Sequence, residues 1–417
     1  MEAARLLREL ALDVGVMAAA LSVLSTFYLL AILTLLWRWK RRAPQEPSAA
    51  REQADGYRPT VAILKPLAGA EPELETNLRS FLRQSYGNFE LLMGLADSSD
   101  PALPAARSIE RESEGLARVV FVGPAAARNR KVSTLAALAK ESRASVIVIS
   151  DSDITVGPGY LHRVIEPLSD PSVGAVTCLY RGSPTSTLWS RLGALWINEW
   201  FRPSVLLSRA LGSETYCAGS TVAIRRDVLD RIGGFLSLAN VLADDNALGA
   251  RVRELGLSIR LSEYEVKTTV HEPDATALLQ HELRWMRTIR AVEPLGHVGY
   301  GISLAMPFSL IAALTLGAAN RAWLMLPFVT LAIRLALHWM DSSETDRTAL
   351  ARIDADDEAP DALVLGLSAV WLIPFRDLLT FAIWVGSFAS RRVTWRHHSL
   401  RVQRDGVIVD RKEILPT

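Results

Sequence analysis

The chain has 417 residues, 49% of them hydrophobic, and its 46 basic and 45 acidic residues leave a formal charge of +1 at pH 7. This composition excludes a disordered chain and a basic protein that binds nucleic acid through its net charge. A mean hydropathy of +0.17 favours a membrane portion beside one large domain. Two cysteines, Cys178 and Cys217, are too few for a disulfide framework or a four-thiolate zinc site.

The first predicted element is a membrane anchor. Residues Val14 to Trp37 are apolar and uncharged, and the run exceeds the roughly 20 residues that cross a bilayer core. Four basic residues between Arg38 and Arg42 follow it, so the positive-inside rule places the next part of the chain in the cytoplasm. We therefore predict an anchor over residues 1–42 of a protein of the cytoplasmic membrane, then a linker over 43–56.

Residues 57–299 alternate apolar runs with amphipathic stretches, the pattern of an α/β domain with a mainly parallel sheet. The predicted strands are Thr60–Leu64, Phe89–Leu95, Arg118–Val122, Ser145–Ser150 and Gly174–Leu179. The predicted helices are Glu73–Gln84, Pro101–Glu114, Lys131–Glu141 and Gly159–Leu168. In the middle of this domain, the tryptophan-rich segment Ser186–Ala210 has the composition of an interfacial helix or of an ordinary core helix.

A second membrane region is predicted over residues 300–390, before a tail at 391–417. Its three apolar runs are Ile302–Ala319, Ala322–Met340 and Leu363–Ala389. The third run contains Arg376 and Asp377, which are costly in lipid unless they face protein, water or each other. Three crossings would put the tail opposite the α/β domain, whereas its basic residues favour the same side. The sequence leaves this topology open.

Acidic residues follow two of the predicted strands. Asp97 follows Phe89–Leu95, and Asp151 and Asp153 follow Ser145–Ser150. Ligands of open α/β sheets bind at the carboxyl ends of the strands, and hard oxygen ligands suit Mg²⁺ or Mn²⁺. Asp151 and Asp153 are therefore candidate metal ligands, although two acids at a strand end also cap helices. No P-loop or G-x-G-x-x-G motif accompanies them, so phosphate binding must use metal and basic side chains.

Two further motifs carry candidate chemistry. Asp244 and Asp245 open a predicted helix that ends near Leu255, where they cap the helix or supply a carboxylate base whose pKa the second acid raises. His281, Arg284 and Trp285 share one helix face by their i, i+3, i+4 spacing. Trp285 stands where a zinc protease has its second histidine, so this motif does not predict zinc. Arg284 can clamp a diphosphate while the Trp285 indole packs on substrate, or the pair can anchor the chain at the membrane surface.

In this order, Asp97, Asp151, Asp245 and the Arg284–Trp285 pair resemble the D, D, D, (Q/R)xxRW signature of family-2-type membrane glycosyltransferases. The stretches VAILKPLAGAEPELETNL, NRKVSTLAAL and ADSSDPA are similar to the ceramide glucosyltransferase group. The stretches SDSDITVGPGYL, VTCLYRG, LADDNALG and HELRWMRTIR resemble the bacterial hopanoid-biosynthesis-associated glycosyltransferases. The general signature has Gln or Arg at the position of His281, and this difference favours the hopanoid-associated relatives.

The resemblance implies a GT-A domain that transfers N-acetylglucosamine or glucose from a UDP-sugar to a hydroxyl of a membrane lipid, with inversion at the anomeric carbon. It places Asp97 and Lys131 near the uridine and phosphates, although Lys131 can also be read as a surface lysine of a helix. The DSD motif, with Asp151 and Asp153, would lie near the sugar and a divalent metal. Asp245 would be the base and Arg284 would offset charge on the diphosphate, and the remaining substrate contacts are expected from Asp244, His281 and Trp285.

A hopanoid polyol is the expected acceptor and ceramide the near alternative. A processive polysaccharide synthase shares the motifs but would be expected to have more spans than the roughly four predicted for this chain. The acidic cluster also permits a metal-dependent phosphohydrolase, and a non-catalytic membrane scaffold is the alternative outside the enzymes.

Overall fold

A computed structural model describes residues 2–41, 56–212, 217–352, 370–390, 392–395, 398–403 and 406–409. An eight-stranded sheet forms the centre of the α/β domain, in the spatial order β3-β2-β1-β4-β7-β6-β8-β5. Its strands are β1 (Val61–Pro66), β2 (Phe89–Leu95), β3 (Ala117–Phe121), β4 (Val146–Ser150), β5 (Ile154–Thr155), β6 (Val173–Pro184), β7 (Thr221–Arg225) and β8 (Ser258–Val270). The first four strands agree with the predicted ones to within two residues at each end.

The sheet is mainly parallel, as predicted, because six of its eight strands run in one direction and only β7 and β5 run against them. Strands β3, β2, β1 and β4 are parallel neighbours, but β7 runs antiparallel between β4 and β6, and β5 runs antiparallel to β8. The chain leaves β6 at Pro184, forms helices beyond that end of the sheet and enters β7 from the same end. A strand entered without a crossover to the opposite edge runs antiparallel to the one before it.

Helices cover both faces of this sheet. Within β1, the Ile63 side chain belongs to one hydrophobic core and Leu64 to the other, as the alternation of side chains along a strand requires. The helices of the α/β domain are α2 (Leu74–Leu82), α3 (Leu103–Glu112), α4 (Arg130–Lys140), α5 (Tyr160–Ile165), α6 (Leu188–Trp196), α7 (Arg202–Ala210), α8 (Arg226–Arg231), α9 (Asp244–Glu254) and α10 (Ala275–Val292). A single π-helical turn, Ile197–Phe201, joins α6 to α7.

The membrane candidates are the long apolar helices. Helix α1 (Glu2–Arg41) contains a candidate span over Arg5–Arg38, and a second candidate covers Arg321–Met340 at the start of α13 (Leu326–Arg352). Pro294–Ser303, which includes α11 (Pro294–Gly299), and α12 (Ala305–Leu316) form a pair bent by 60° that also passes the test as one broken span. Among the described residues this gives two candidate spans, or three with the bent pair.

Small residues let α1 approach the other membrane helices closely. Ala18 and Ala19 of α1 pack against Ala312 and Leu316 of α12. A Cβ added to Gly15 would clash with the Thr315 hydroxyl. Close backbone approach at small residues is typical of helix packing inside a membrane.

The last described helix, α14 (Leu372–Ser387), has 16 residues, fewer than the roughly 20 that a crossing needs. Residues 363–369 of the predicted third apolar run lie outside the described residues, as do residues 43–55 of the predicted linker. After α14, a small antiparallel sheet forms from β9 (Arg392–Trp395), β10 (His398–Val402) and β11 (Ile408–Val409). The sheet lies against the α/β domain, where the Ile408 amide donates to the Asn240 carbonyl.

Candidate active site

A buried lysine on the neighbouring strand forms hydrogen bonds to the turn after β4. The Lys65 ammonium, on β1, donates to the Asp151 backbone carbonyl at 2.6 Å and to the Ser150 hydroxyl at 3.2 Å. It also lies 3.7 Å from the centroid of the Phe81 ring. Burial lowers the pKa of Lys65 to about 7, although the carboxylates of Asp153 and Asp151 act against this shift. Lys65 thereby fixes the backbone that presents both acids of the DSD motif.

Asp153 points one carboxylate oxygen at a partner and leaves the other without one. Oδ2 accepts a hydrogen bond from the Thr268 hydroxyl at 2.9 Å, and the Asp153 carbonyl accepts from the Thr269 amide at 2.8 Å. Oδ1 is buried and has no hydrogen-bond partner. Burial, followed by the neighbouring carboxylates of Asp151 and Glu71, raises the pKa of Asp153 to about 7.

Lys131 joins the acids of two different loops. Its ammonium lies 2.6 Å from Asp151 Oδ1 and 3.9 Å from Asp244 Oδ2. The Asn129 side chain caps α4 by accepting from the Val132 amide, which places Lys131 in the first turn of that helix. Burial alone would lower the pKa of Lys131, but the surrounding carboxylates, Asp151 first, outweigh burial and raise it. Lys131 therefore lies mostly buried between the two acidic loops.

Asp245 lies in the first turn of α9, as the sequence predicts. Its Oδ1 accepts from the Asn246 amide at 2.8 Å. A Cβ added to Gly219 would lie 2.7 Å from Asp245 Oδ2, so only glycine leaves room for this carboxylate. Burial, and next the charge of Asp244, raise the pKa of Asp245 to about 6; burial also raises that of Asp244. Raised pKa values of this kind are typical of functional carboxylates.

The loop before α9 is braced from two directions. The Asn129 amide group donates to the Val241 carbonyl at 2.9 Å. From the C-terminal sheet, the Ile408 amide donates to the Asn240 carbonyl at 2.8 Å, and the Gly406 carbonyl accepts from the Leu242 amide at 2.9 Å. Strands that follow the membrane helices thus fix the approach to Asp244 and Asp245.

Asp97 lies apart from this cluster, exposed at the end of β2. Its Oδ1 accepts from the Ser99 amide at 2.7 Å and from the Ser99 hydroxyl, and these bonds lower the pKa of Asp97. Strands β2, β1 and β4 are parallel neighbours, so Asp97 occupies the same edge of the sheet as the DSD motif. An ionised carboxylate therefore faces solvent at this edge.

The predicted face of α10 contributes His281 and Trp285 to an aromatic row that continues to Trp196. The Trp285 ring stacks on Trp196 with centroids 5.1 Å apart, and the His281 ring lies 4.1 Å from Trp285 on a tilt of 52°. The Oε1 atom of the buried Glu272 carboxylate accepts a hydrogen bond from His281 Nδ1 at 2.6 Å. The Arg284 guanidinium lies 6.0 Å from the Trp285 centroid. Because neighbouring rings occupy the Trp285 faces, the exposed aromatic surface here belongs in part to His281.

The donor set fits a divalent metal completed by a ligand's phosphates. Among the described residues, no three His, Cys, Asp or Glu side chains converge as a ready-made cage. Mg²⁺ is commonly bound by one or two carboxylates together with substrate phosphates. Asp151, together with the unpartnered Oδ1 of Asp153, supplies that many protein oxygens.

Sequence reasoning missed two contributors to this geometry, Lys65 and Glu272. Lys65 was detectable as the one charge in the apolar strand VAILKP. Glu272 carried no signal, because nothing in the chain links it to His281 nine residues later.

An α/β sheet with acids gathered at the ends of parallel strands, beside a DSD motif, is the arrangement typical of the GT-A fold class. The mannosyltransferase PcManGT from Pyrobaculum calidifontis, solved with GDP-Man and Mn²⁺, has a similar fold. Its TM-score is 0.51 at 19% identity, over 90% of this chain and 98% of that one. At this identity the likeness concerns the fold alone.

The family described as Glycosyl transferase family 21 matches residues 17–408, so the chain belongs to that family. Ceramide glucosyltransferase 1 of Caenorhabditis elegans is 22% identical over 66% of this chain and 57% of its own length. Ceramide glucosyltransferase 3 of the same organism is 21% identical over 86% of this chain and 76% of its own length. The predicted relationship to the ceramide glucosyltransferase group is confirmed, and with it a glycosyltransferase of GT-A-like fold.

Proposed function

We propose that this protein transfers a sugar, N-acetylglucosamine or glucose, from a UDP-sugar to a hydroxyl of a membrane lipid, with inversion at the anomeric carbon. The observation that carries the proposal is the half-buried Asp245 carboxylate, whose pKa is raised to about 6, beside the Asp151–Lys131 pair at the ends of the strands. Family membership and the names of the relatives support lipid glycosylation.

The donor would lie along the edge formed by β2, β1 and β4. Asp97, ionised and exposed, is suited to accept hydrogen bonds from the uridine. Lys131 would bind the diphosphate, with Asp151 near the sugar and Asp244 holding the lysine between the two loops. The diphosphate would thus lie against the Lys131 ammonium, which the neighbouring carboxylates keep protonated.

A divalent metal, Mg²⁺ or Mn²⁺, would be held by Asp151 and Asp153. When bound, it would neutralise charge on the diphosphate leaving group. The unpartnered Asp153 Oδ1 supports this assignment, because a buried carboxylate oxygen without a donor is costly unless a ligand satisfies it.

The transfer itself needs one base. Asp245 would take the proton of the acceptor hydroxyl as its oxygen bonds to C1 of the sugar and the bond from C1 to the diphosphate breaks. The electron pair of that bond leaves with UDP, and Arg284 would offset the charge that develops there. A single displacement of this kind inverts the anomeric configuration.

The acceptor would reach the site beside α10, where His281 and Trp285 would contact it. A hopanoid polyol is our first candidate, because the motifs around Asp151, Asp245 and His281 are those that resemble the hopanoid-associated group. Ceramide is the second candidate, because the relatives found are ceramide glucosyltransferases. Transfer would take place on the cytoplasmic face of the cytoplasmic membrane, in a protein anchored by α1 and by the C-terminal apolar helices.

The test is an assay of the detergent-purified protein with Mn²⁺ or Mg²⁺. UDP-glucose and UDP-N-acetylglucosamine are each paired with a hopanoid polyol or ceramide, and intact lipids are read by mass spectrometry. We expect a product whose added mass names the sugar, with the opposite anomer to the donor by NMR. The matched control for loss of activity in Asp245→Asn is Asp227→Asn, an exposed acid 64% accessible.

Three other results of this assay would contradict the proposal. UDP release without a lipid product would contradict the proposal in favour of a phosphohydrolase, and long polymer would favour a polysaccharide synthase. Failure to bind any UDP-sugar would favour a scaffold.

A further inference from the structure

The two charged residues of the last apolar run lie fully inside the protein. Arg376 of α14 is 0% exposed and Asp377 is 4% exposed. Arg376 makes two parallel bonds to Glu282 of α10, from Nη1 to Oε1 at 2.8 Å and from Nη2 to Oε2 at 2.6 Å. Its Nε donates to Thr380 at 3.0 Å. A bidentate pair of this kind fixes direction as well as distance.

Asp377 extends the network in the other direction. Its Oδ2 lies 3.3 Å from Nε of Arg334, on α13. Arg334 Nη2 donates to Glu199 Oε2 at 2.9 Å, and His338 Nδ1 lies 2.5 Å from the other oxygen of Glu199. Adjacent residues of α14 therefore connect to Glu282 on one side and, through Arg334, to Glu199 on the other.

Both of these glutamates stand one helical turn from a stacked tryptophan. Glu282 is three residues before Trp285 on α10, and Glu199 is three residues after Trp196, in the π-helical turn that continues α6. Trp285 and Trp196 are the two rings that stack with an interplanar angle of 24°. The ion pairs thus attach the two helices that form the aromatic row.

We propose that Arg376 and Asp377 are positioning residues that set α10 against α6, and so fix the Trp196–Trp285 stack and the His281 ring beside it for the lipid acceptor. The acceptor part of this inference rests on the proposed function. Stability alone does not require such a network, since replacing a buried ion pair by apolar residues of similar volume is often neutral or stabilising. What the ion pairs of Arg376 and Asp377 contribute is a fixed placement of α10 relative to α6.

The test separates position from stability through a paired substitution. Arg376→Met alone leaves Glu282 as a buried unpaired charge and is expected to destabilise the protein. Arg376→Met combined with Glu282→Met removes both charges and is expected to restore the thermal midpoint. If the pair positions the stack, the double variant still raises KM for the lipid by about tenfold, with KM for the UDP-sugar unchanged.

A spectroscopic measurement reads the same feature without substrate. Stacked indoles give an exciton couplet in circular dichroism, and Trp196→Phe identifies the part that comes from this stack. We expect the double variant to lose that part and Arg376→Lys, which keeps one bond and the charge, to retain most of it. The matched control is Arg79→Met with Glu112→Met, a partly exposed pair bonded at 2.8 Å on the α/β domain.

A double variant with wild-type couplet and wild-type KM for the lipid would overturn the proposal and leave the network a purely structural role. If the wild-type protein makes no lipid product, the proposed function fails, while the couplet still decides whether Arg376 positions the stack.

Discussion

The strand-end site and the membrane-side network differ in burial and in how their charges are balanced. The strand-end site consists of Asp151, Asp153, Asp244, Asp245, Lys65 and Lys131 and is partly exposed, whereas the membrane-side network consists of Arg376, Asp377, Arg334, Glu282 and Glu199 and is buried. At the strand ends, four aspartates surround two lysines, and the pKa values of Asp153, Asp244 and Asp245 are raised. In the membrane-side network, Glu282, Glu199 and Asp377 each lie against a guanidinium.

This difference indicates that the charges of the strand-end site serve to bind a ligand, whereas those of the membrane-side network serve to position helices. Gathering like charges in a partly buried site is unfavourable unless a bound cation offsets them, so the strand-end site is suited to a metal and a donor. In the membrane-side network each acid already has a guanidinium within 2.6–3.3 Å, so the protein itself pairs these charges, although Arg334 Nε and Nη1 and Asp377 Oδ1 make no hydrogen bond. The four predictions below test this division, beginning with the largest effect.

The largest effect is expected at Asp245. Asp245→Asn removes the base and should lower kcat by about 10²–10⁴-fold. The variant should be at least as stable as the wild type at pH 7. A carboxyl whose pKa is higher in the folded than in the unfolded protein lowers the free energy of unfolding as the pH rises above its unfolded pKa, and the amide does not ionise. Kinetics and thermal unfolding measure the two effects. Equal losses of kcat in Asp227→Asn would contradict a specific role.

Metal affinity should separate Asp153 from Asp97. Asp153→Asn is expected to weaken Mn²⁺ binding in the presence of UDP by about tenfold or more, whereas Asp97→Asn should weaken UDP binding alone. Paramagnetic resonance of free Mn²⁺ reports this directly, without turnover. Unchanged Mn²⁺ affinity in Asp153→Asn would remove this residue from the metal site.

The pH profile should follow the base. Because the pKa of Asp245 is raised to about 6, the carboxyl is mostly protonated at pH 5 and ionised at pH 7. Activity should therefore rise by about tenfold from pH 5 to pH 7 and then level off. Steady-state rates at saturating metal measure the profile. A rate that is flat over this range would show that proton removal by Asp245 does not limit turnover.

A smaller effect is expected at Lys65. Lys65→Met leaves the Asp151 carbonyl and the Ser150 hydroxyl without their donor, which should cost about 1–3 kcal/mol of stability and raise KM for the UDP-sugar. Thermal or denaturant unfolding and donor kinetics test this. Lys140→Met, at the exposed end of α4, is the control, and a KM equal to that of the control would show that the DSD turn holds its shape without Lys65.

Continuous apolar strands made the first half of the fold predictable. Strands β1, β2 and β4 are covered on both faces and are mostly apolar, with Lys65 in β1 and Glu90 in β2 as the only charges, so their bounds came within two residues. Strand β8 was missed because exposed and buried positions mix along its 13 residues. The sheet from β9 to β11 was missed because its strands are short and charged, so neither periodicity nor composition distinguishes them from a tail.

The site was predictable as far as strand ends determine it. Asp97, Asp151 and Asp153 follow strands, so a shared edge follows from the topology of parallel sheets. The contact of Lys65 with Asp151 spans 86 residues, and that of Arg376 with Glu282 spans 94. Contacts over such separations depend on packing between elements, which no local pattern records.

The bracing of the loop before α9 by residues 406–408 has a consequence for synthesis. These residues leave the ribosome after α11 to α14, so the loop that carries Asp244 and Asp245 acquires its last partners only when the membrane helices have already been made. The loop that carries Asp244 and Asp245 is therefore completed late in synthesis, and a chain that ends before residue 406 would lack these hydrogen bonds.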